Sequence, residues 1–499
     1  MSNEFYHSKS KYVKFMNCNK RLWLEKYKSE YMEEVLNEDR LAIGNQIGDL
    51  AMGLFGDYYL AETNPIDILK QIENTKSALI RKERVICEAS FLVGNNYCAV
   101  DILKLEDDGS YSINEVKSST SSKDYYIYDL AYQYYVLTAY GLNISKVNLI
   151  YINNKYVFEN KLDINEYFSI LDLTNKIIEE SKNVFINVEL SNKILNSNTE
   201  PNVDLSSSCT EYNGCPFKNY CYKLKGLPEK NSIMTLYNCK TRLKYVKNGI
   251  LSFDDLIKNN IALKGIPKMQ VEFALRRNDN DIYIDKKAIS EFLKDFKYPL
   301  YFFDFESFQA IIPEYNGVKP YQQIVFQYSL HIMHEDGRCE HKEFLGDGKS
   351  DPRLSLLLQM LADLGESGTI IAYNTSFETS RIKELAIAYP EYSNKLLALN
   401  ERFIDLAKIF QSGYLYNKAM GGSFSIKSVL PALFPNDESL NYKSLKQIHK
   451  GDEASNAYLE LKNMNEDDYN KTRYNLLKYC ELDTYAMVKI YEKILELIK

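Results

Sequence analysis

Residues 299–308 read PLYFFDFESF, an apolar stretch that carries two acids two positions apart. A short run of aromatic and aliphatic residues after a proline predicts a buried strand. Strand side chains alternate between faces, so Asp304 and Glu306 project from the same face. Two acids on a buried strand are costly unless their charge is compensated, and a cation is the simplest compensation. The stretch therefore predicts a cation-binding strand of an α/β domain.

Two later segments supply acids to the same predicted site. TIIAYNTSFETSRIKEL (369–385) predicts a strand followed by a helix, with Glu378 near the helix start. KYCELDTYAMVKIYE (478–492) predicts a helix on which Tyr479 and Asp483 are one turn apart. Four acids could hold two divalent ions, with the tyrosine orienting a water or the scissile phosphate. The alternative is an unrelated origin for each feature, including a glutamate that only favours the helix dipole.

The length of 499 residues predicts two or three domains. The stretch Gly226-Leu227-Pro228 punctuates the chain and predicts a boundary. We therefore expect an α/β protein with domains at 1–228 and 296–499, joined by a helical connector at 229–295. Within the first domain, helices, the first of them over residues 8–27, precede three strand-like runs, a helix and a further strand, an αβββαβ order that suits an α/β nuclease core.

The strands of the first domain carry a second set of candidate metal ligands. Asp101 lies in the second predicted strand, while Glu115 and Lys117 share one face of the third. A turn between the strands can bring the two acids together on a hard divalent cation, with the lysine orienting or deprotonating a water. Gln133 on the next helix could reach this site or be a core-edge residue. Glu88 could be an additional ligand or a solvated strand residue. An acid and a lysine on a surface hairpin are the alternative.

A cysteine cluster closes the first domain. Cys209, Cys215 and Cys221 are spaced as C-x5-C-x5-C, and Cys18 is the expected fourth member. Clustered thiols in a reduced compartment indicate metal or cluster ligation rather than disulfides. Zinc and an iron–sulfur cluster both favour four ligands, and the spacing alone does not separate them.

The composition restricts the class of protein further. With 45% hydrophobic and 26% charged residues, the chain is expected to be a soluble globular protein. It has no apolar run of roughly 20 residues and no apolar segment typical of a signal peptide at its N-terminus, so a cytoplasmic location without membrane contact is expected. The net charge of −7 argues against wholesale polyanion binding but allows a local basic groove for nucleic acid.

The layout of the first domain resembles the RecB-type nucleases of the PD-(D/E)XK superfamily. It is most similar to the branch with a 4Fe-4S cluster. The resemblance implies that Asp101 and Glu115 bind metal, that Lys117 is the catalytic lysine and that Gln133 is the RecB-motif glutamine. It also implies that the four cysteines hold the cluster and tie the N-terminal helix to the end of the domain. Many relatives carry a histidine ligand where residues 44–48 read GNQIG.

The second domain resembles the DEDD exonuclease superfamily, which is DnaQ-like and has an RNase H-like fold. D-x-E, N-x-x-F-(D/E) and Y-x-x-x-D occur in the order of its tyrosine variant, with Glu378 in place of the usual aspartate. The resemblance implies that Asp304, Glu306, Glu378 and Asp483 bind Mg²⁺ or Mn²⁺ and that Tyr479 assists. Asp405 is interpreted as structural, and Lys427 as a phosphate contact or part of an ordinary helix start.

The combination resembles a bacterial family, of unknown role, that joins these two domains. It implies a metal-dependent nuclease that hydrolyses phosphodiester bonds in DNA, exonucleolytically, with two nuclease-like sites and a structural iron–sulfur cluster. The alternative is a nucleic-acid-binding or sensing protein in which only the DEDD domain is active, with RNA as a candidate substrate.

Overall fold

The computed structural model describes residues 6–33, 38–63, 66–210, 214–276, 281–442 and 447–499. The chain divides into two compact units. The N-terminal unit comprises Met1–Gly226 with Val318–Pro320, and the C-terminal unit comprises Leu227–Gly317 with Tyr321–Lys499. Each unit combines helices with a β-sheet, so the α/β class expected from the sequence is confirmed in general form. None of the helices in the described ranges has both the length and the apolar character that crossing a membrane demands.

In its described part, the N-terminal unit has one seven-stranded mixed sheet. Its strands are β1 His7–Ser8, β2 Tyr59–Leu60, β3 Val85–Val93, β4 Asn96–Leu105, β5 Tyr111–Lys117, β6 Ile144–Ile152 and β7 Phe168–Asp172. The order is β2-β3-β4-β5-β6-β7, and β1 pairs with β4. Strands β3, β4 and β5 form an antiparallel meander, whereas β5 and β6 are parallel. A parallel pair needs a crossover connection, which here is a long helix.

The described helices of this unit pack around that sheet. They are α1 Lys9–Asn17, α2 Asn19–Tyr27, α3 Glu38–Met52, α4 Ile68–Arg81, α5 Asp124–Tyr140, α6 Ile164–Tyr167, α7 Thr174–Ser181, α8 Val184–Leu195 and α9 Lys218–Leu224. The crossover helix α5 lies in the core, with Leu130, Val136 and Leu137 fully buried. The first of these helices contacts α5, which brings the start of the chain to the sheet.

A single helix predicted over residues 8–27 is divided in two at Cys18. The backbone of Cys18 is extended, with φ −165° and ψ 107°, so it cannot continue a helix. Its N–H closes α1 on the Lys14 carbonyl, and its own carbonyl accepts the first hydrogen bond of α2 from Leu22. The cysteine is thereby held between two helices rather than along the face of one.

The C-terminal unit has a five-stranded mixed sheet and a separate two-stranded one in its described part. The strands are β8 Ile282–Ile284, β9 Leu300–Gln309, β10 Gln323–Met333, β11 Cys339–Leu345, β12 Thr369–Ala372, β13 Phe403–Asp405 and β14 Leu415–Asn417. The main order is β11-β10-β9-β12-β13. Strand β9 is central, antiparallel to β10 and parallel to β12.

The described helices of the C-terminal unit cover the main sheet and form the region before it. They are α10 Arg242–Lys247, α11 Phe253–Lys258, α12 Gly265–Leu275, α13 Lys286–Leu293, α14 Arg353–Leu364, α15 Ser376–Ala388, α16 Ser393–Asn400, α17 Lys408–Gln411, α18 Ile426–Leu433, α19 Gly451–Glu460 and α20 Glu466–Ile498. The last helix packs against both β9 and β10.

The region between the predicted domains is not purely helical. Besides α10 to α13 it contains β8, which pairs antiparallel with β14. Residues 229–295 fall within the C-terminal compact unit. A three-residue strand is too short to show a period in the sequence. Its partner also lies more than 100 residues away along the chain, so no local pattern joins the two.

Candidate metal centres

The two acids expected in the N-terminal unit lie side by side where β4 and β5 part. The ladder between these strands pairs Ile102 with Asn114, the last pair before the acids. Beyond it the Val116 N–H donates to Asp101 Oδ2 at 2.7 Å, so the aspartate side chain replaces a ladder hydrogen bond. On β5, Glu115 lies between Asn114 and Val116. The strand geometry therefore brings Asp101 and Glu115 together, as the spacing predicted.

Glu115 is the most enclosed member of this group, with only 1% of its surface exposed. Its carboxylate accepts from Lys117 Nζ at 2.5 Å and from Gln133 Nε2 at 2.7 Å. Lys117 lies on the same face of β5, as alternation predicts. Gln133 is fully buried and reaches the carboxylate from α5. Of the two interpretations of Gln133, the structure supports the one in which its side chain reaches the site.

Asp129 is a member of the group that the sequence analysis missed. It accepts from Lys117 Nζ at 2.8 Å and from Gln133 Nε2 at 3.0 Å. It precedes Gln133 by one helical turn on α5, and residues four apart share a helix face. That spacing is the signal by which it could have been found once Gln133 had been singled out.

Lys9 is the second missed member and comes from the first turn of α1. Its Nζ is 3.1 Å from Glu115 Oε1 and 3.9 Å from both Asp101 Oδ1 and Asp129 Oδ1. We define the first centre as these three acids with Lys9 and Lys117. Lys9 is separated from Asp101 by 92 positions, and no local pattern in the sequence marks it.

The charges of the first centre act on one another strongly. The pKa of Glu115 is raised to about 7, mainly by burial and also by Asp101 and Asp129. The two lysines oppose this rise. Burial also raises the pKa of Asp129, but Lys117 and Lys9 outweigh it and hold that pKa below its usual value. Although burial lowers the pKa of Lys9, the three acids raise it well above its usual value. The first centre is thus a cluster of ion pairs supplied by the chain itself.

Glu88 borders the first centre from β3. It has a left-handed backbone with φ 53° within a strand, a conformation that is uncommon for a residue with a side chain. Burial and the nearby Asp101 raise its pKa to about 8. Glu88 is therefore not a simply solvated strand residue, and its carboxyl adds to the acidic side of the centre.

The four cysteines singled out in the sequence come near one another within the N-terminal unit. Cys18 lies between α1 and α2, Cys209 ends a short 3-10 turn, and Cys221 lies in α9. Burial raises the pKa of Cys221 to about 11, and the nearby Cys215, Cys209 and Cys18 contribute. Cys215 and Cys221 pack against a small core of Trp23, Leu24 and Phe217. Residues 211–213 of the cysteine segment lie outside the described residues.

The spacing of the thiols is wider than that of a compact ion site. Among the described residues, which include all four cysteines, no three of these thiol sulfurs are all within 4.8 Å of one another. None of the nine cysteines forms a disulfide.

The acids predicted in the C-terminal unit converge from three elements. Asp304 and Glu306 project from the central strand β9, Glu378 lies in the first turn of α15, and Tyr479 and Asp483 are one turn apart on α20. We define the second centre as the four acids of this group. Asp304 is within electrostatic reach of the other three acids. One oxygen each of Asp304 and Glu306 and the Cys480 sulfur all lie within 4.8 Å of one another, whereas no three of the four acids do so among the described residues. The three predicted elements thus bring the four acids within electrostatic range of one another.

Burial is the largest influence on the carboxylates of the second centre. Burial, followed by Asp483, Glu306 and Glu378, raises the pKa of Asp304 well above its usual value. Burial raises the pKa of Glu378 to about 8 and that of Asp483 to about 6. Glu378 is 2% exposed, and its Oε2 has no hydrogen-bond partner among the described residues. A buried carboxylate oxygen without a donor is costly, and a cation would satisfy it.

Comparison with known proteins gives relatives without an assigned activity. A family model described as a domain of unknown function (DUF2779) matches residues 301–425, which include three acids of the second centre but not Asp483. Uncharacterized protein MG366 of Mycoplasma genitalium is 32% identical over 221 residues, 40% of this chain and 32% of that protein. Its homolog in Mycoplasma pneumoniae is 28% identical over 222 residues, 41% of this chain and 33% of that protein.

The chain spans about a third of the length of these curated relatives. Among solved structures, the crystal structure of SSO0001 aligns with 44% of this chain and 87% of its own, at 15% identity and a TM-score of 0.23. A likeness of that extent is too slight for a comparison of folds.

Three side chains at the second centre were not assigned to it from the sequence. The Tyr442 hydroxyl donates to Asp483 Oδ1 at 2.6 Å and so orients that carboxylate. The thiol of Cys480 lies 4.0 Å from Asp304 Oδ2. The charge of Lys427 acts on Glu306 and Asp483, and its Nζ lies 5.7 Å from the centre of the Tyr479 ring. The sequence left Lys427 open between a phosphate contact and part of an ordinary helix start, and the structure brings its charge within range of the acids.

Tyr479 and Asp405 complete the predicted residues of this unit. Tyr479 is buried beside the acids, and burial together with Asp483, Glu306 and Asp304 raises its pKa. Asp405 Oδ1 accepts from the N–H groups of Asn374 at 2.9 Å and Ala407 at 3.0 Å. These two hydrogen bonds support the structural interpretation of Asp405.

Proposed function

We propose that this chain is a metal-dependent nuclease that hydrolyses phosphodiester bonds in DNA exonucleolytically, with its hydrolytic site at the second centre. The observation that carries this proposal is the excess of carboxylates there. Four acids come together there. Among the described residues, the cationic side chains that act on them are Lys427 and Arg381. Carboxylate oxygens are the preferred ligands of hard divalent cations, and such an excess is compensated by binding them.

The side chains of the second centre have distinct roles in this proposal. Asp304, Glu306, Glu378 and Asp483 would hold Mg²⁺ or Mn²⁺, which when bound offsets phosphate charge and activates a water. Tyr442 fixes the orientation of Asp483 through its hydrogen bond. Tyr479 would orient the attacking water or the scissile phosphate, and Lys427 would neutralise a neighbouring phosphate.

The sheet arrangements support the finer fold assignments that belong to this proposal. A mixed sheet with the D-x-E strand at its centre, antiparallel on one side and parallel on the other, fits an RNase H-like domain. In the N-terminal unit, an antiparallel meander followed by a crossover helix fits a RecB-like PD-(D/E)XK domain. The first centre has the residues of a second nuclease-like site, but its charge is largely balanced by lysines.

We also propose that the four cysteines hold a 4Fe-4S cluster. A tetrahedral zinc site with Zn–S bonds of about 2.3 Å would bring its thiolates within about 3.8 Å of one another. No three of these sulfurs meet even a 4.8 Å limit in the part of the chain that the structure describes. A cluster of four irons and four sulfides is larger than one ion and spaces its thiolates farther apart. Zinc remains the alternative that elemental analysis would reveal.

The nuclease proposal is tested with end-labelled single- and double-stranded DNA and RNA, each with Mg²⁺ or Mn²⁺. We expect shortening of labelled DNA by the wild type and none by Asp304→Asn. The matched control is Asp336→Asn, because Asp336 pairs with Arg338 on an exposed turn away from the acids. Intact substrates with every metal would contradict the proposal, and cleavage of RNA alone would transfer it to ribose substrates.

The cluster proposal is tested on the purified chain by iron and sulfide analysis and by absorbance near roughly 400 nm. Cys221→Ser is expected to lose the chromophore. Cys239→Ser is the matched control, since Cys239 contacts Thr241 and lies outside the cysteine cluster. Stoichiometric zinc without iron would contradict it.

A further inference from the structure

The position of Lys9 is fixed by the structure on both sides. Before it, β1 pairs in parallel with β4, with His7 opposite Asn96. After it, Tyr12 is fully buried and stacks on Tyr132 of α5, with ring centroids 5.3 Å apart. Lys9 therefore enters the first centre from a backbone held by a strand and a packed helix.

The ammonium group of Lys9 lies among the three acids. It donates to Glu115 Oε1 at 3.1 Å and to Oε2 at 3.4 Å. It is also 3.9 Å from one oxygen each of Asp101 and Asp129. A divalent cation would contact the same oxygens at about 2.0–2.6 Å. With the ammonium within 4 Å of each of them, these three acids do not bring one oxygen each within 4.8 Å of one another among the described residues. A cation bound by all three would therefore require the ammonium to leave.

Charge balance gives the same result. With Lys9 and Lys117, two positive charges face the carboxylates of Asp101, Glu115 and Asp129, which leaves one net negative charge. Removal of Lys9 would leave two net negative charges, which one divalent ion would balance.

We propose that the Lys9 ammonium takes the place of a divalent cation in the first centre. Lys9 is then the residue that distinguishes the metal affinities of the two centres. The first centre binds Mg²⁺ or Mn²⁺ only when Lys9 is withdrawn or removed, although it has the D…E-x-K residues of a metal site. This inference does not depend on hydrolysis at the second centre.

The test counts Mn²⁺ ions bound to the full chain by the loss of the free-ion electron paramagnetic resonance signal. The second centre is first disabled by Asp304→Asn with Asp483→Asn, so that only the first centre can respond. In this background we expect no site tighter than about 1 mM. Adding Lys9→Met is expected to create one site at least about tenfold tighter.

The matched control is Lys14→Met on the same helix, because Lys14 pairs with Glu25 and lies outside the first centre. It is expected to leave Mn²⁺ binding unchanged. Tight Mn²⁺ binding in the background with Lys9 intact, lost on Asp101→Asn, would overturn the proposal. So would a Lys9→Met protein that folds and binds no Mn²⁺.

A second measurement applies if the Lys9→Met protein is unfolded in the absence of metal. Its thermal unfolding is followed with and without Mn²⁺, beside the same protein carrying Glu115→Gln. We expect Mn²⁺ to raise the Tm of Lys9→Met but not of the background, and Glu115→Gln to restore folding without metal. If neither Mn²⁺ nor Glu115→Gln restores the fold, Lys9 is only a packing element and the proposal is overturned.

Discussion

The first and second centres are built from the same acidic groups yet differ in their counter-charges. In the first centre, Lys9 and Lys117 contact Glu115 and Asp129 directly, and Lys9 Nζ lies 3.9 Å from Asp101. In the second, four carboxylates converge, and the Lys427 ammonium is hydrogen-bonded instead to the His449 carbonyl. The difference shows that an acidic motif does not by itself fix the charge of its site, because the cations that the rest of the fold brings to it also contribute.

The largest expected contrast is in hydrolysis. Asp304→Asn should lower the rate of cleavage at least about 10³-fold, because each tenfold loss corresponds to about 1.4 kcal/mol and a metal ligand supplies several. Asp101→Asn should change it less than about threefold, since the proposed chemistry is at the second centre. Initial rates on end-labelled DNA measure both. A large loss with Asp101→Asn would remove the proposed contrast.

The second contrast is in stability, where the same acid-to-amide change should have opposite signs. Asp129→Asn should lower the free energy of unfolding by about 3 kcal/mol, because it removes the buried carboxylate with which Lys117 pairs. Glu378→Gln should raise that of the metal-free protein by about 1 kcal/mol at pH 8, because it removes a buried charge without a donor. Urea denaturation in chelator measures both. A loss of stability in each variant would show that the second centre is also balanced.

The third contrast is in pH dependence without metal. The pKa of Glu378 is raised from its usual 4.5 to about 8 in the folded state. Its contribution to stability is therefore fully present below pH 4.5 and is lost as pH rises through about 8. The contribution of Asp129 to stability depends on pH in the opposite direction. Its pKa lies below the usual 3.8, so its contribution is lost in acid.

We expect the metal-free protein to lose stability between about pH 5 and pH 8 and saturating Mn²⁺ to reduce this loss. Glu378→Gln should reduce the slope, and Glu391→Gln, at an exposed residue in the turn after that helix, is the control outside the four acids. Midpoints of urea denaturation across the pH range give the measurement. An unchanged slope in Glu378→Gln would mean that another group titrates in that interval.

The smallest expected effect concerns an acid near the second centre that is already satisfied. Asp405→Asn keeps the oxygen that accepts from Asn374 and Ala407. It should change cleavage less than about threefold and unfolding by less than about 1 kcal/mol. A loss of activity as large as that of Asp304→Asn would make Asp405 a fifth acid of the centre.

Much of the site-bearing structure could be predicted from local patterns. The strand around Asp304 and Glu306, the helix start at Glu378 and the helical spacing of Tyr479 and Asp483 all depend on periodicities of two and 3.6 residues. The strand β8 and the break at Cys18 were missed, because the first is too short for a period and the second interrupts an otherwise helical pattern.

The sequence by itself determined which acids share a face and on which elements they lie, because strand alternation and helical repeat are local properties. Only the tertiary structure decided how much counter-charge meets them. Lys9, Asp129 and Tyr442 reach the centres through contacts between elements distant in the chain, and Coulomb interactions depend on distance in space rather than on separation in sequence.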